Sequence, residues 1–437
     1  LGDVYKTQII HHLINTVMKA IYLKTAQLIL AVLISVACIP LQAQNMSANY
    51  ITISGVVKDK NSNKRLEYVS ISVPGTNIGT ITNTDGVFSI KLNNALEAKT
   101  LEISHIGYRN MKFPINREDI GHEVTIYLIP NVNLLKDVIV QPVDAQKLVE
   151  EAIHKIGDNN SAEVNMLTGF YRETIRKRRN YINISEAILD IYKTPYTQDI
   201  AGDRVQVYKG RKLISPKPND TLIVKFQGGP NLSTFMDVVK NPELFLDINT
   251  LGMYRYNMEE SVMIDERPHY VVSFNPQVVL PYALHYGKLY IDKQSLTFSR
   301  AEFSLSMDDK NKATQAILRK KPFKMHFKPE EVSFLVTYKQ QNGRSYLNYV
   351  WSEVKFKCDL KRRLFSTGYT IVSEMVVTDR KSGNINKIPF KQSFGQNQVL
   401  SEKVQNFYDP NFWEDYNIIE PTESLENAVS KLRKQQN

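Results

Sequence analysis

The feature that most constrains the fold is a long succession of strand-like segments in the second half of the chain. Strands are predicted at residues 254–264, 269–275, 286–292, 296–306, 323–328, 332–340, 345–357 and 368–379. Turn residues such as Asp308-Asp309 and Asn342-Gly343 separate some of them. Because neighbouring strands joined by short turns pair in antiparallel fashion, residues 161–437 are predicted to form an antiparallel β-sheet or half-barrel with a few helices.

A second group of short strands and tight turns precedes this region. Strands are predicted at residues 50–57, 68–73, 87–90, 101–104 and 124–128. The Asp85-Gly86 pair favours a hairpin, because glycine accepts positive φ without steric cost. Strands of this length, separated by Gly, Asn and Asp turns, predict a small β-sandwich over residues 48–130, so the fold class is mainly β.

The motifs of this region resemble the carboxypeptidase-regulatory-like domain of Bacteroidetes envelope proteins, a transthyretin-like β-sandwich. The matching pieces are Ser54-Gly55-Val56-Val57-Lys58-Asp59, Pro74-Gly75-Thr76, Gly79-Thr80, Asn83-Thr84-Asp85-Gly86-Val87-Phe88 and Ser104-His105-Ile106-Gly107-Tyr108. Residues 134–140 also fit the segment that follows this domain. The resemblance implies an accessory domain without catalytic residues of its own, found at the N-terminus of outer-membrane receptors and other envelope proteins.

The second region resembles lipoprotein-carrier half-barrels in its strand pattern, most clearly at residues 286–292 and 296–306. Such half-barrels are curved antiparallel sheets around an apolar cavity, which implies room for a lipid-like or peptide ligand. The segments at residues 170–173 and 412–416 also resemble Bacteroidetes proteins that pair such a sheet with the regulatory-like domain. That similarity brings no known activity.

The remaining segments are predicted to link these two regions or to cap the second. Residues 131–160 read as a linker with a helix at 145–156, whose apolar residues recur at helical spacing. Residues 194–232 are predicted to be an irregular loop, and residues 232–246 to be helical apart from Pro242. An amphipathic helix is expected to close the chain.

Residues 18–43 are predicted to be a secretory signal peptide. Lys19 and Lys24 supply its basic start, residues 28–36 its apolar stretch, and Ala43 a small residue suited to cleavage. The protein is therefore expected to be exported and to be periplasmic or associated with the outer membrane.

Two features of the leader leave alternatives open. Residues 1–17 have no signal character and are interpreted as an upstream extension, with Met18 as the translation start. Cys38 offers lipid anchoring instead of cleavage after Ala43, although Ser35 stands where a lipoprotein signal usually has Leu. Cys358 is the other cysteine and is predicted to be a small buried core residue.

The chain is basic, with a formal net charge of +10. In an exported protein this charge favours contact with anionic envelope material, and nucleic acid is not an expected partner. The expected partner is an envelope protein or a lipid or glycan ligand.

Catalytic motifs give no consistent pattern. His122-Glu123 lacks the second histidine of a His-Glu-x-x-His zinc motif, and zinc peptidases need three ligands with one open position. Ser352 and Lys355 lie three apart in a predicted strand, so their side chains point to opposite faces. The protein is therefore predicted not to be an enzyme and to need no metal or cofactor; the alternative is a carboxypeptidase-associated or glycan-acting hydrolase with a dispersed site.

Four residues form the candidate ligand or partner surface. Glu186 and Asp190 are four apart in a predicted strand and share one face, which we expect to face solvent, with a cavity mouth as the alternative. Phe412 and Trp413 are interpreted as core or strand-edge plugs, with ligand stacking as the alternative.

A possible modification site lies in the predicted loop. Thr221 follows Asp220 and precedes Leu222, which resembles the Asp-Ser/Thr-aliphatic acceptor of Bacteroidetes O-glycosylation. Taken together, the sequence predicts a non-enzymatic envelope protein that binds a ligand or partner through its β-rich domain, with the β-sandwich as a docking module.

Overall fold

The computed structural model describes residues 49–131, 144–220, 225–226, 229–320, 325–360, 366–395, 398–406 and 411–436. The predicted upstream extension, signal peptide and Cys38 lie outside these residues, as does Thr221. The described chain forms a β-sandwich followed by one large, mostly antiparallel sheet, which confirms the predicted fold class. No helix in these ranges is long and apolar enough to span a bilayer.

The sandwich consists of two sheets that enclose one apolar core. Its strands are β1 (Tyr50–Asp59), β2 (Ser70–Ser72), β3 (Gly79–Ile81), β4 (Val87–Asn93), β5 (Thr100–Ser104), β6 (Met111–Pro114) and β7 (Glu123–Leu128). One sheet has the order β4-β1-β7 and the other has the order β3-β2-β5-β6. Ile53, Phe88, Ile103 and Ile126 lie fully buried between them, so alternate residues of both sheets supply the core.

Two glycines allow the sandwich to close. A Cβ at Gly55 would lie 2.3 Å from the Val124 carbonyl oxygen, so the close pairing of β1 with β7 requires glycine there. Gly86 has a φ of +70° and follows a turn in which the Asn83 side chain accepts a hydrogen bond from Asp85 N. This turn connects β3 to β4, which belong to different sheets, so the hairpin predicted from Asp85-Gly86 is instead a crossing between sheets.

The large sheet contains 11 strands. In chain order its strands are β8 (Asn165–Lys177), β9 (Asn180–Lys193), β10 (Arg204–Ile214), β12 (Tyr254–Ile264), β13 (Arg267–Pro276), β14 (His285–Asp292), β15 (Phe298–Leu305), β17 (Met325–Gln341), β18 (Arg344–Leu360), β19 (Thr367–Ser382) and β20 (Gln405–Asn406). A separate two-stranded sheet pairs β11 (Lys225–Phe226) with β16 (Leu318–Lys320). The strand order is β12-β13-β14-β15-β17-β18-β19-β8-β9-β10-β20, and only the short β10–β20 pair is parallel.

Helices are few and short. They are α1 (Ala145–His154), α2 (Ile156–Asn159), α3 (Leu232–Phe235), α4 (Lys310–Ile317), α5 (Leu400–Lys403) and α6 (Glu423–Gln436). Turns of 3-10 helix occur at Asn94–Leu96, Arg117–Asp119, Ile200–Gly202, Pro218–Asp220, Gly229–Asn231, Pro242–Leu244 and Ile248–Met253.

Three predicted segments differ from the structure. The strands predicted at 323–328 and 332–340 are one strand over the described residues, β17, which begins at Met325; a register shift between Pro329 and Glu331 accommodates the proline without ending the strand. The predicted loop at 194–232 contains β10, which pairs along its length with β9. Residues 232–246 form only the single turn α3 and a 3-10 turn at Pro242, since proline lacks the N–H that a helix interior needs.

One face of the large sheet, here the first face, is covered by the chain's own segments. Leu148, Val149 and Ala152 of α1 pack against it, together with apolar residues from 236–251. Tyr171, Val272, Leu289, Val350 and Met375 form part of the sheet side of this core. The chain itself therefore buries the apolar surface of the predicted half-barrel. Burial of apolar surface stabilises a fold by about 25 cal/mol per Å².

The opposite, second face receives the sandwich and the C-terminal part of the chain. Phe170, Tyr349 and Val376 from the sheet pack with Ile81 of the sandwich and with Trp413 and Ile419. Further along, Leu425 and Leu432 of α6 pack with Ile184 and Leu213. The sandwich is thus joined to the sheet through a shared apolar cluster.

A buried ionic cluster fixes residues 229–253 to the first face. Asp237 is 0% exposed and accepts hydrogen bonds from Lys193 Nζ at 2.7 Å and from the Tyr338 hydroxyl at 2.8 Å. Asp203 accepts from Lys240 Nζ at 2.7 Å and pairs with Lys193 at 3.1 Å. Each buried ammonium group therefore has a carboxylate partner, as burial of charge requires.

Replacing Asp237 with Ala is expected to lower the free energy of unfolding by about 3–5 kcal/mol, because it removes a carboxylate that neutralises buried ammonium groups. Equilibrium urea unfolding followed by circular dichroism measures the change. Asp158→Ala is the matched control, since it breaks only the exposed Lys155–Asp158 pair and should cost less than about 1 kcal/mol. Equal losses in both variants would contradict a stabilising role for the buried cluster.

Candidate functional site

The sandwich meets the second face of the large sheet along a junction that residues 411–422, here called the strap, complete. Thr80 Oγ1 donates a hydrogen bond to the Ile418 carbonyl oxygen at 2.9 Å. The backbone N–H of Lys91 donates to Asn417 Oδ1 at 2.7 Å. The strap therefore lies between β3 and β4 of the sandwich and the sheet, and its apolar residues pack against both.

Trp413 anchors the strap. Its side chain is 2% exposed and lies edge-on to Phe170, with ring centroids 5.4 Å apart. Phe412 packs against it at 4.7 Å, and the Arg211 guanidinium lies 4.8 Å from the Trp413 ring centroid. Among the residues described, the indole N–H of Trp413 has no acceptor. Both aromatic residues are thus placed in the packed junction, and contact with a ligand stays a prediction.

Glu186 does not face solvent as its strand position predicts. Its carboxylate is buried and binds Arg172 Nε at 2.7 Å and Arg211 Nε at 2.8 Å. Arg172 also pairs with Glu374 at 3.2 Å and donates to the Ile419 carbonyl oxygen at 2.8 Å. The strap covers this part of the second face, which is why an otherwise outward-facing residue becomes buried.

The pKa values of the two carboxylates around Arg172, Glu186 and Glu374, shift in opposite directions. Burial would raise the pKa of Glu186, but Arg172 and Arg211 together hold it below its usual value. Burial raises the pKa of Glu374, and the single Arg172 only partly opposes the effect. Glu186 is therefore the carboxylate that the network keeps ionised most firmly.

Asp190 lies further along β9 and is half-buried. Burial raises the pKa of its carboxyl group, and Lys381 opposes this effect. Of the four candidate residues, the structure brings Glu186, Phe412 and Trp413 together around Arg211, while Asp190 lies apart from that cluster.

Beside this buried contact, the junction leaves a groove between the sandwich and the second face. At one end, residues 76–80 of the sandwich lie opposite Lys339, Tyr346 and Arg380; we call this end the Arg380 pocket. At the other end, Tyr68 and His105 of the sandwich lie opposite Arg300 and Tyr349; we call this end the His105 pocket. Because Ser70, Lys339 and Asn348 line both ends, the two pockets form one junction groove.

Arg380 joins the two modules at its end of the groove. Its guanidinium donates to Asn77 Oδ1 of the sandwich at 2.9 Å, to Gln341 Oε1 at 2.8 Å and to Asn165 Oδ1 at 3.1 Å. It also lies 3.6 Å from the centroid of the Tyr346 ring. These partners are all uncharged, so they orient the guanidinium without neutralising it.

The His105 pocket is polar and has mixed charge. Arg300 Nε donates to Glu302 at 2.6 Å, and Asp265 from the β12–β13 turn lines the same pocket. The His105 ring lies 5.3 Å from the Tyr108 ring. Burial, assisted by the charge of Arg300, lowers the pKa of His105 to about 4, so this imidazole is neutral at pH 7.

Sequence reasoning did not identify Lys339, Arg380 or His105 as candidate site residues. Lys339 lies in a correctly predicted strand, but nothing local in the sequence shows that the sandwich covers that strand. The one available signal was the Pro74-Gly75-Thr76 and Gly79-Thr80 motif, which supplies the sandwich side of the Arg380 pocket. In the described ranges, no group of three or more His, Cys, Asp or Glu side chains is placed to hold a metal ion.

Comparison with known proteins supports the assignment of the first module. Residues 53–140 match the family model of the CarboxypepD_reg-like domain, which confirms the regulatory-like domain predicted from its motifs. The match covers the sandwich and leaves the large sheet unassigned. No curated protein sequence matches the chain.

Several solved structures show partial similarity. An outer membrane lipoprotein-sorting protein domain from Vibrio parahaemolyticus is 11% identical, with 55% of this chain and 92% of that chain covered and a TM-score of 0.26. A DUF1329 family protein from Desulfovibrio piger is 11% identical, with coverages of 56% and 95% and a TM-score of 0.25. A LolA superfamily protein from Nitrosomonas europaea is 12% identical, with coverages of 58% and 99% and a TM-score of 0.20. Scores this low do not establish a shared fold.

Trp413→Ala is expected to lower the free energy of unfolding by about 3–5 kcal/mol, because it leaves a cavity in the junction core. Trp413→Phe keeps an aromatic ring and removes the unpartnered N–H, so its loss should be clearly smaller. Urea unfolding measures both, and limited proteolysis reports whether the strap is released. Equal effects of the two variants would mean that the ring does not anchor the strap.

His105→Gln is expected to flatten the pH dependence of stability between about pH 4 and 6.5. In that window the unfolded chain binds a proton at His105 that the folded chain does not, because the folded pKa is about 4. Folded wild type therefore loses stability as pH falls through the window, and the variant should bind about one proton fewer on unfolding. Urea unfolding at several pH values measures the slope, and an unchanged slope would contradict burial of a neutral His105.

Proposed function

We propose that this protein is a non-enzymatic binding protein of the bacterial cell envelope whose ligand or partner occupies the junction groove. The observation that carries the proposal is that both modules line this groove, with Ser70 from the sandwich and Lys339 and Asn348 from the sheet. A site at such a boundary is a common position for ligand binding.

The arrangement of the sheet supports a site at the junction. The first face is filled by α1 and residues 236–251, so a ligand there would have to displace a packed core. The second face is only partly covered, and the groove opens where the sandwich rests on it. In this proposal the sandwich is a docking module in the sense that it forms one wall of the site.

The proposed location rests on the sequence and on the family match. The predicted signal peptide at residues 18–43 and the CarboxypepD_reg-like domain at 53–140 both support export to the envelope. Periplasmic residence or outer-membrane association, and an origin in Bacteroidetes, stay predictions. The polar lining of the groove favours a ligand with hydrogen-bonding groups over a purely apolar lipid chain.

Asn348→Trp tests the proposal, because an indole at this position would fill the groove that both pockets share. The chain is purified from the cells that produce it, and native mass spectrometry measures any retained ligand or protein. The expected result is a stoichiometric adduct on wild type that is lost in Asn348→Trp. Asn257→Trp, at an exposed position of β12 outside the groove, is the matched control and should keep the adduct.

Three results would count against the proposal, and the first two would overturn it. One is an adduct that survives unchanged in Asn348→Trp, which would place binding elsewhere. The other is release of C-terminal residues from peptides, or cleavage of glycans, by the purified chain, which would favour the hydrolase alternative. The absence of any adduct on wild type would also count against it.

A further inference from the structure

The Arg380 pocket has an unusual charge. Its lining includes two cationic residues, Lys339 and Arg380, and no Asp or Glu. The remaining polar lining is neutral and includes Ser70, Asn77 and Asn348. Two like charges that face one pocket repel each other and lose hydration, so this arrangement costs stability unless something compensates.

Arg380 cannot supply that compensation from its own contacts. Its three side-chain acceptors, on Asn77, Asn165 and Gln341, are amide oxygens. Within the described part of the chain, no carboxylate oxygen lies within ion-pair distance of its guanidinium. Arg380 is therefore held rigidly, with its charge intact, by neutral groups.

The Lys339 side chain has fewer polar contacts than that of Arg380. It is half-buried on the second face, and across the residues described its ammonium group has neither a hydrogen bond nor a salt bridge. Burial lowers its pKa, and the charges of Asp265 and Glu102 only partly oppose that effect. Asp265 lines the His105 pocket and not this one, and Glu102 lines neither pocket, so no carboxylate lines the Arg380 pocket itself.

We propose that the Arg380 pocket binds an oxyanion, the phosphate or carboxylate group of an envelope ligand, between Lys339 and Arg380. Arginine offers a planar donor surface for such a group, and lysine adds a mobile point charge. Ser70 and Asn348 supply neutral hydrogen-bonding groups at the same place. The inference deepens the proposed function by naming the ligand chemistry, and it rests on that function for the location of the site.

The test uses inorganic phosphate as the probe and the full chain as the protein. Isothermal titration calorimetry at constant ionic strength, with chloride as the balancing anion, should show saturable binding of one phosphate per chain. Lys339→Gln should weaken this binding at least fivefold, because it removes one of the two charges. Lys328→Gln, at an exposed position of the same strand, is the matched control and should change the affinity less than twofold.

A second measurement separates loss of binding from loss of folding. Among the residues described, the Lys339 ammonium group has no hydrogen bond or salt bridge to lose, so Lys339→Gln should keep or slightly raise the melting temperature in the absence of phosphate. Phosphate should raise the melting temperature of wild type and of Lys328→Gln, and should not raise that of Lys339→Gln.

Flotation with lipid vesicles distinguishes a lipid headgroup from a free anion. Vesicles of phosphatidylcholine with phosphatidylglycerol should carry wild type and not Lys339→Gln if the natural phosphate is a headgroup. Phosphate binding without flotation supports an oxyanion site in the Arg380 pocket and indicates that the natural ligand is a soluble or glycan-borne anion. The inference is overturned if wild type binds neither probe, or if Lys339→Gln binds both as wild type does.

The two proposals can fail separately. If phosphate does not bind but the native adduct still depends on the groove in Asn348→Trp, the binding function stands and the oxyanion site between Lys339 and Arg380 does not. If phosphate binds but no native adduct depends on the groove, the pocket is an anion site outside the proposed function.

Discussion

Burial of the Arg172 guanidinium is the constraint on which the junction between the two modules depends. A cation taken out of water must be neutralised and fully hydrogen-bonded, or it destabilises the fold by several kcal/mol. Glu186 on β9 and Glu374 on β19 provide the charge, and the Ile419 carbonyl oxygen of the strap provides the last acceptor. The strap is therefore required electrostatically as well as sterically, because without it Arg172 would lose a partner and gain only partial contact with water.

The same requirement explains how a β-sandwich and a sheet become one body. On its sheet side, the strap accepts a hydrogen bond from Arg172 through the Ile419 carbonyl oxygen. On its sandwich side, it accepts hydrogen bonds from Thr80 at the Ile418 carbonyl oxygen and from the Lys91 backbone N–H at the Asn417 side chain. Trp413 and Ile419 fill the apolar space between these polar contacts. The junction groove is the remainder of this interface, the part that the strap does not reach.

Local patterns predicted the sandwich and most strands of the large sheet. Turn residues such as Asn342-Gly343, which join β17 to β18, and the alternation of β13, β14, β15, β18 and β19 depend only on near neighbours, so the sequence alone was sufficient there. The strand prediction was wrong at Pro329, because a β-bulge accommodates the proline within β17. The helix prediction was wrong around Pro242, where apolar spacing favoured a helix that proline interrupts. In each case an interaction with another strand or the backbone chemistry of proline outweighed the apolar pattern.

The candidate site was less accessible to prediction, because its properties depend on distant segments. Glu186 reads as a solvent-facing residue until Arg172, 14 residues away, and the strap are placed over it. The pair of Arg172 with Glu374 spans 202 residues, and no local pattern records it. Lys339 and Arg380 likewise could not be predicted as site residues, because only the folded structure places the sandwich opposite them.

The position of the strap in the chain has a consequence for folding. Thr80 and its partner Ile418 are 338 residues apart, so the sandwich can complete its own core long before the strap is available. Contacts of such separation form slowly, because a long loop must close before they contribute. In a chain that emerges with its N-terminus first, Ile81 and the rest of the sandwich side of the junction remain uncovered during this interval. That surface is where a folding helper would bind and where premature association between chains would begin.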